Sequence, residues 1–330
     1  MNIIEELIAE RTTLMIDGAM GTELFDRGLT AGDPPELWNI EYADRVADVH
    51  ENYIKAGSDI ILTNSFGGTA FRLKLHKLDN RVFELNKAAA MVARQAADRA
   101  PRRVIVAGSM GPSGELLQPM GEMTPETAAD AFAAQAEGLA AGGADILWIE
   151  TMSSLDEVEA AVKGIQRVTD LPIAATMSYD TAGRTMMGVT GAEAAVRLTS
   201  LGVAAVGANC GNNVADTEAA VIDIKAGAGD TPVIAKANAG VPEFKGDALV
   251  YSGSPEIMGA HVQRMMDAGI QIIGGCCGTS TDHLHHMRDV MDGSVEAADI
   301  PAPGPPQVED DDADERSRER SARRNRRRRS

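Results

Sequence analysis

Three cysteines make up the whole thiol complement of this chain, and each stands where an apolar run ends. Cys210 follows VAAVGAN; Cys276 and Cys277 follow IQIIGG. Thiolates are strong zinc ligands, and three of them leave the fourth corner of a tetrahedral ion open. That is the layout of a reactive metal site rather than a closed structural one. It suits the capture of a substrate thiol as its thiolate. Plain burial competes with this reading, because free cysteine is among the residues most often packed in cores. A redox pair is a further alternative. Cys276 and Cys277 are adjacent in GGCCGT, which favours zinc. Glycine permits the tight backbone needed to aim two neighbouring side chains at one centre.

Carboxylates stand at two other run ends. Asp17 closes one run in DGAMGTEL, and Glu150 closes another in WIETMSS. Each suits a substrate ammonium group, or else helix capping or simple solvation. Backbone amides around Gly18, Gly21, Thr63 and Asn64 are candidate donors to a substrate carboxylate. Lys236, in VIAKANAG, has the chemistry of a Schiff-base amine, but pairing with a mouth carboxylate is the favoured reading. His283, His285 and His286 follow the cysteines closely. Their periodicity puts them on an outer helix face and outside the ligand set.

Eight short apolar runs must position these groups: LMID (14–17), DIILT (59–63), VIVAGS (104–109), DILWIE (145–150), IAATMS (173–178), AAVGAN (204–209), PVIAKA (232–237) and IQIIGG (270–275). Continuous apolar runs of this length are expected of strands buried on both faces of a parallel sheet. Ala-rich amphipathic stretches separate them. Ser154 and Glu157 have capping-box spacing, and Thr124-Pro125 and Ser254-Pro255 place a cap before a first-turn proline. Gly57, Gly142 and Gly269 fall where helices should stop. Eight strand–helix alternations predict an α/β protein of the (β/α)8 TIM-barrel type, with a doubly wound open sheet as the alternative. The barrel is preferred because polar and reactive residues end nearly every run, and a barrel brings all those ends to one mouth. The connections 25–42, 64–85, 110–124 and 238–253 are long enough to cover it.

The chain has 330 residues and a formal net charge of −18. Nine arginines lie between Arg316 and Arg329 and seven acidic residues between Glu309 and Glu319, so residues 1–300 carry −20. An acidic body argues against nucleic acid as the main substrate and fits cationic or zwitterionic small molecules. The opening residues MNIIEELIAERTT lack the basic and apolar regions of a secretion signal. No run reaches the roughly 18 apolar residues of a membrane helix. The expectation is a cytoplasmic protein whose thiols stay reduced. A barrel is expected over residues 1–298. The Pro-rich, then acidic, then Arg-rich segment 299–330 is expected to be a disordered tail, with an RNA-binding or targeting role as its alternative.

The segments DGAMGTEL (17–24), TNSFGG (63–68), GSMGPSGELL (108–117), WIETMSSLDE (148–157), GANCG (207–211) and IGGCCGTS (273–280) resemble, in order, the homocysteine S-methyltransferase family. The resemblance extends to its bacterial betaine–homocysteine branch and to the homocysteine domain of cobalamin-dependent methionine synthase. It implies a (β/α)8 barrel with Zn2+ held by Cys210, Cys276 and Cys277. It also implies Asp17 and Glu150 on the homocysteine amino group, and backbone contacts from Gly18 and Thr63. A zinc with three thiolates stays electron-rich and acidifies the substrate thiol, which then attacks a methyl group in line. The implied donor is betaine or a related onium compound, which aromatic faces should hold. The animal betaine enzymes carry tyrosines where this chain has Gly67 and Thr151. Trp38, Phe66, Phe71 and Tyr179 are the alternative candidates for a cage. Without those tyrosines, a methylcorrinoid on a separate protein partner becomes the second donor reading, with room for a homo-oligomer. Rival readings are a Schiff-base aldolase using Lys236 and a corrinoid-protein-binding subunit with a structural zinc.

Overall fold

Each apolar run becomes a strand covered on both faces. The computed structural model describes residues 2–180, 183–245 and 248–302. Its strands are β1 (Leu14–Met15), β2 (Ile60–Leu62), β3 (Ile105–Met110), β4 (Ile146–Met152), β5 (Ile173–Met177), β6 (Ala205–Cys210), β7 (Val233–Ala237), β8 (Pro242–Lys245), β9 (Ala248–Tyr251) and β10 (Ile272–Gly275). Eight of them form one parallel sheet in the order β1-β10-β7-β6-β5-β4-β3-β2. Its two ends meet through a parallel bridge between Ile16 and Ile60, so the sheet is a barrel and not the open doubly wound alternative. Alternate strand residues, among them Ile16, Leu62, Ala107, Trp148 and Ile234, fill the interior. The helix Ile3–Arg11 adds Ile4 and Leu7 to this inner core. A second apolar layer lies between the strands and the outer helices.

The β1–β2 seam has few ladder bonds, and Asp59 reinforces it. Its amide donates to Met15 O at 2.7 Å and its Oδ2 accepts from Met15 N at 2.9 Å. The carboxylate is fully buried and is met by Arg288 at 2.7 Å, Arg102 at 3.6 Å and Arg11. Three helices and loops are thereby tied to the N-terminal rim, opposite the reactive residues.

The expected helix signals operate with two differences, the first being that Ser254 precedes the helix Pro255–Asp267 without a side-chain capping bond to its backbone. Thr124 caps the helix Pro125–Ala141, and Gly57 and Gly269 take positive φ just after their helices. Ser154 accepts from Glu157 N, but Glu157 does not return the bond. Its carboxylate instead accepts from Ser113 N at 2.9 Å and Ser113 Oγ at 2.6 Å. A buried loop amide needs a partner more than an exposed cap does. The connection 238–253, expected to be a loop, holds the antiparallel hairpin β8–β9. PEFK and ALVY around Gly246-Asp247 carry the hairpin signal. No helix among the described residues is long and apolar enough to cross a membrane. Residues 303–330 of the expected tail lie outside the described residues.

Replacing Asp59 by Ala leaves three arginines facing a buried gap and removes the seam contact to Met15. The expected cost is about 3–5 kcal/mol, read as a lowered urea midpoint with the far-ultraviolet spectrum of the folded state unchanged.

Candidate functional site

The C-terminal ends of β6 and β10 bring the three cysteines together. Their sulfurs lie within 4.8 Å of one another, and all three residues are half-buried. Local backbone makes this possible. Gly278 has φ +77°, and a Cβ on Gly275 would come within 2.2 Å of Thr279. The tight GGCCGT turn therefore does need its glycines. Cys210 itself adopts φ +65° and Thr151, at the end of β4, φ +61°, conformations that non-glycine residues rarely take. Asn209 holds Thr151. Its Oδ1 accepts from Thr151 N at 2.8 Å and Thr176 Oγ1 at 2.7 Å. Its Nδ2 donates to Thr151 Oγ1 at 2.7 Å and to Cys276 Sγ at 3.6 Å. Asn238 does similar work from the end of β7, accepting from Cys277 N at 3.0 Å and donating to Gly211 O at 2.8 Å. Neither asparagine was singled out from sequence, although GANC and NAG contain them.

Three sulfurs this close cannot all ionise without a cation between them. Cys277 is pushed down because Cys210 and Cys276 donate to it, with help from the Tyr251 hydroxyl. Cys210 is pushed far up by those same bonds. The cluster is thus a set of soft ligands aimed at one point. Zinc fits it: Zn–S bonds of about 2.3 Å put tetrahedral sulfurs about 3.8 Å apart, a small closure from the observed spacing.

Asp17 and Glu150 meet at the same mouth, both buried. Asp17 Oδ2 accepts from Leu62 N at 2.7 Å, while Oδ1 has no hydrogen-bond partner among the described residues. Glu150 Oε1 accepts from Ser109 Oγ. Lys236 Nζ stands between them, 3.7 Å from Asp17 Oδ1 and 3.6 Å from Glu150 Oε2. Burial pushes Asp17 up to about 7 against the pull of Lys236. Burial alone would depress Lys236, but Glu150, Asp17 and the thiols outweigh it and hold the amine charged. Lys236 therefore pairs with the mouth carboxylates. A Schiff base requires a neutral amine, so the aldolase reading loses its nucleophile.

The remaining candidates divide. Gly18 packs so closely under Thr279 O that a Cβ there would lie 2.4 Å away. The Thr63 amide is not available to a ligand, because it donates to Ala107 O at 2.9 Å within the barrel. Among the described residues the Gly18 and Asn64 amides donate no backbone hydrogen bond, and both residues line the cavity. His283 bonds Ser280 and Gly253 O, and none of the three histidines joins the sulfurs. A cavity of about 400 Å3 rises from the cysteines and carboxylates to Glu36, Phe66, Arg72, Leu75 and His76. Of the four aromatic residues expected around a donor, only Phe66 lines it. Trp38 is buried against Tyr42, Phe71 packs on Leu117 and Met123, and Tyr179 lies in the core. No aromatic cage forms among these four. Apolar rings on amphipathic segments are drawn into the nearest core, which loop spacing does not reveal.

A parallel barrel with nucleophilic and acidic groups at the C-terminal strand ends defines a (β/α)8-barrel enzyme. The family model described as homocysteine S-methyltransferase matches residues 14–291, and the chain belongs to that methyltransferase family. The methionine synthase of Mycobacterium leprae (strain TN) is 30% identical over 309 residues, covering 88% of this chain and 25% of that protein. That of Mycobacterium tuberculosis (strain ATCC 25618 / H37Rv) is 30% identical over 295 residues, covering 85% and 25%. The chain thus spans a quarter of the length of these curated relatives. The fold is shared with the homocysteine methyltransferase MmuM of Escherichia coli. Its metallated form superposes with a TM-score of 0.72 at 23% identity, and its oxidized form with 0.72 at 25%, each covering 87% of this chain and 99% of that one.

Borohydride added with a carbonyl compound such as pyruvate should leave Lys236 unmodified, as judged by peptide mass spectrometry. A reduced adduct on that residue would contradict its role as a charged partner of Asp17 and Glu150.

Proposed function

We propose that this chain converts homocysteine to methionine at a zinc ion held by Cys210, Cys276 and Cys277, using a small onium donor of the betaine type. The observation that carries the reading is the convergence of three sulfurs on the floor of a cavity whose other buried groups suit an amino-acid head. A zinc ion held by Cys210, Cys276 and Cys277 would lower the pKa of the substrate thiol, so that its thiolate would be present at neutral pH.

The chain's own residues orient the substrate. Asp17 and Glu150 carry two negative charges against one on Lys236, which leaves one charge for a substrate ammonium. Asp17 Oδ1 accepts no hydrogen bond among the described residues, with Lys236 Nζ 3.7 Å away as its ion-pair partner. The Gly18 and Asn64 amides receive the substrate carboxylate. No general base is required once the thiolate is formed, so catalysis rests on holding sulfur and methyl carbon in line. Asn209 and Asn238 are positioning residues for the cysteine loops.

A second reading takes the methyl group from a methylcorrinoid protein. The methionine synthase relatives, about four times as long as the matched region, favour it. Supplying homocysteine with glycine betaine, dimethylsulfoniopropionate, S-methylmethionine or methylcobalamin separates the two. Methionine from an onium donor is expected; methionine from methylcobalamin alone would move the donor to the second reading. Zinc should be present at about one per chain. Cys276→Ala should lose metal and activity together, and retention of zinc with activity lost would overturn the ligand assignment.

Asp17→Asn should raise the KM for homocysteine about tenfold or more with zinc retained, as expected for a lost charged hydrogen bond. Asp17 is raised to about 7, so it protonates as pH falls through that value and loses the charge that attracts ammonium. Inhibition by norleucine, which has the head group but no thiol, should therefore weaken below pH 7. The same profile should be flatter in Asp17→Asn; identical profiles would remove Asp17 from the head-group site.

A further inference from the structure

The outer half of the cavity holds two opposite charges that the homocysteine site does not use. Glu36 is 7% exposed, and among the described residues no cationic side chain comes within ion-pair distance of it, although His76 and Arg72 are near enough to act on its charge. Its Oε1 accepts from Gly67 N at 2.7 Å, and the carboxylate lines the cavity. The loop bearing it is firmly held: Asn39 Nδ2 donates to Glu36 O at 2.9 Å and Asn64 O at 2.7 Å, and Asn64 Nδ2 donates to Pro35 O at 2.7 Å. Arg72 flanks the same backbone position. A Cβ on Gly67 would lie 2.8 Å from Glu36 Oε1 and 3.7 Å from Arg72 Cβ. The Arg72 guanidinium lines the cavity and makes no ion pair among the described residues.

A buried carboxylate without a direct ion pair is costly, and it attracts a cation of the right size. An unpaired guanidinium beside it attracts a carboxylate. Resting on the reading of the site as a homocysteine methyltransferase with an onium donor, we propose that Glu36 and Arg72 recognise the methyl donor as a zwitterion. Glu36 faces the onium centre and Arg72 takes the donor's carboxylate. Phe66 and Leu75 supply apolar contact to the onium methyl groups. Charge thus takes the place of the aromatic cage that the structure does not assemble.

The chemistry balances. The thiolate sulfur supplies the electron pair of the new carbon–sulfur bond. The pair of the broken bond stays on the donor nitrogen or sulfur, which becomes neutral. No proton or oxidant is involved. Because the onium charge is fullest before transfer and absent afterwards, Glu36 binds the donor more strongly than the transition state or product. It is therefore a KM residue: its loss should weaken donor binding without lowering kcat.

The test uses the zinc-loaded full chain without homocysteine, so that no turnover occurs, and calorimetry with glycine betaine, dimethylsulfoniopropionate and choline. At least one of the two zwitterions should bind. Glu36→Gln, which keeps an acceptor for Gly67 N, should weaken all bound probes tenfold or more while homocysteine binding stays unchanged. Arg72→Met, at the exposed rim, should weaken the zwitterions but not choline. The proposal is overturned if no probe binds the wild type, if Glu36→Gln binds as tightly, or if Arg72→Met treats choline and betaine alike. Glu36-dependent binding in a wild type that makes no methionine would leave this site standing and sink the reaction instead.

Discussion

Closing eight parallel strands into a ring is the constraint on which the rest of the molecule depends. Once β1 meets β2, the carboxyl ends of all the barrel strands face one mouth, and residues far apart in the chain become neighbours. The closing seam has a single bridge, and Asp59 strengthens it from the opposite rim with backbone and arginine contacts. Stability and chemistry are thus divided between the two ends, as in barrels generally. The seam also leads directly into Asp17, whose amide bonds Ile60 O at 3.0 Å.

The mouth stores both strain and charge. Cys210 and Thr151 sit at positive φ; one buried asparagine, Asn209, spends all four of its hydrogen-bonding positions on Thr151, Thr176 and Cys276, and Thr217 bonds Cys210 O. Such strain persists only where the surroundings over-determine it, and here it aims a sulfur inward. Charge is balanced in the same space. Lys236 offsets part of the repulsion between Asp17 and Glu150, and the sulfurs gather as ligands for one cation. A site with unspent negative charge beside soft ligands suits an amino-acid thiol better than a carbonyl substrate.

Two regions in one cavity explain how a small barrel can serve two substrates. The inner region has the sulfurs and paired carboxylates; the outer has Glu36 and Arg72 flanking Gly67. Under the proposed function, keeping the two sets of charges apart would let each attract a different substrate.

Much of this was legible in the chain. The eight apolar runs and the cysteines, Asp17 and Glu150 at their ends pointed to a barrel mouth, because strand burial and strand termination are local properties of sequence. The same holds for the caps at Thr124 and the stops at Gly57 and Gly269. Other features depended on partners distant in sequence. Lys236 could be read as nucleophile or counter-ion until Asp17 and Glu150 stood beside it. Thr63 looked like a free amide until β3 claimed it, and Trp38, Phe71 and Tyr179 looked like a cage until the core took them. Asn209, Asn238, Glu36 and Arg72 gain meaning only from what they face. Sequence by itself determined which elements form and which residues end them. Tertiary structure decided which charges meet, because pairing and desolvation are set by distances that only the closed barrel fixes.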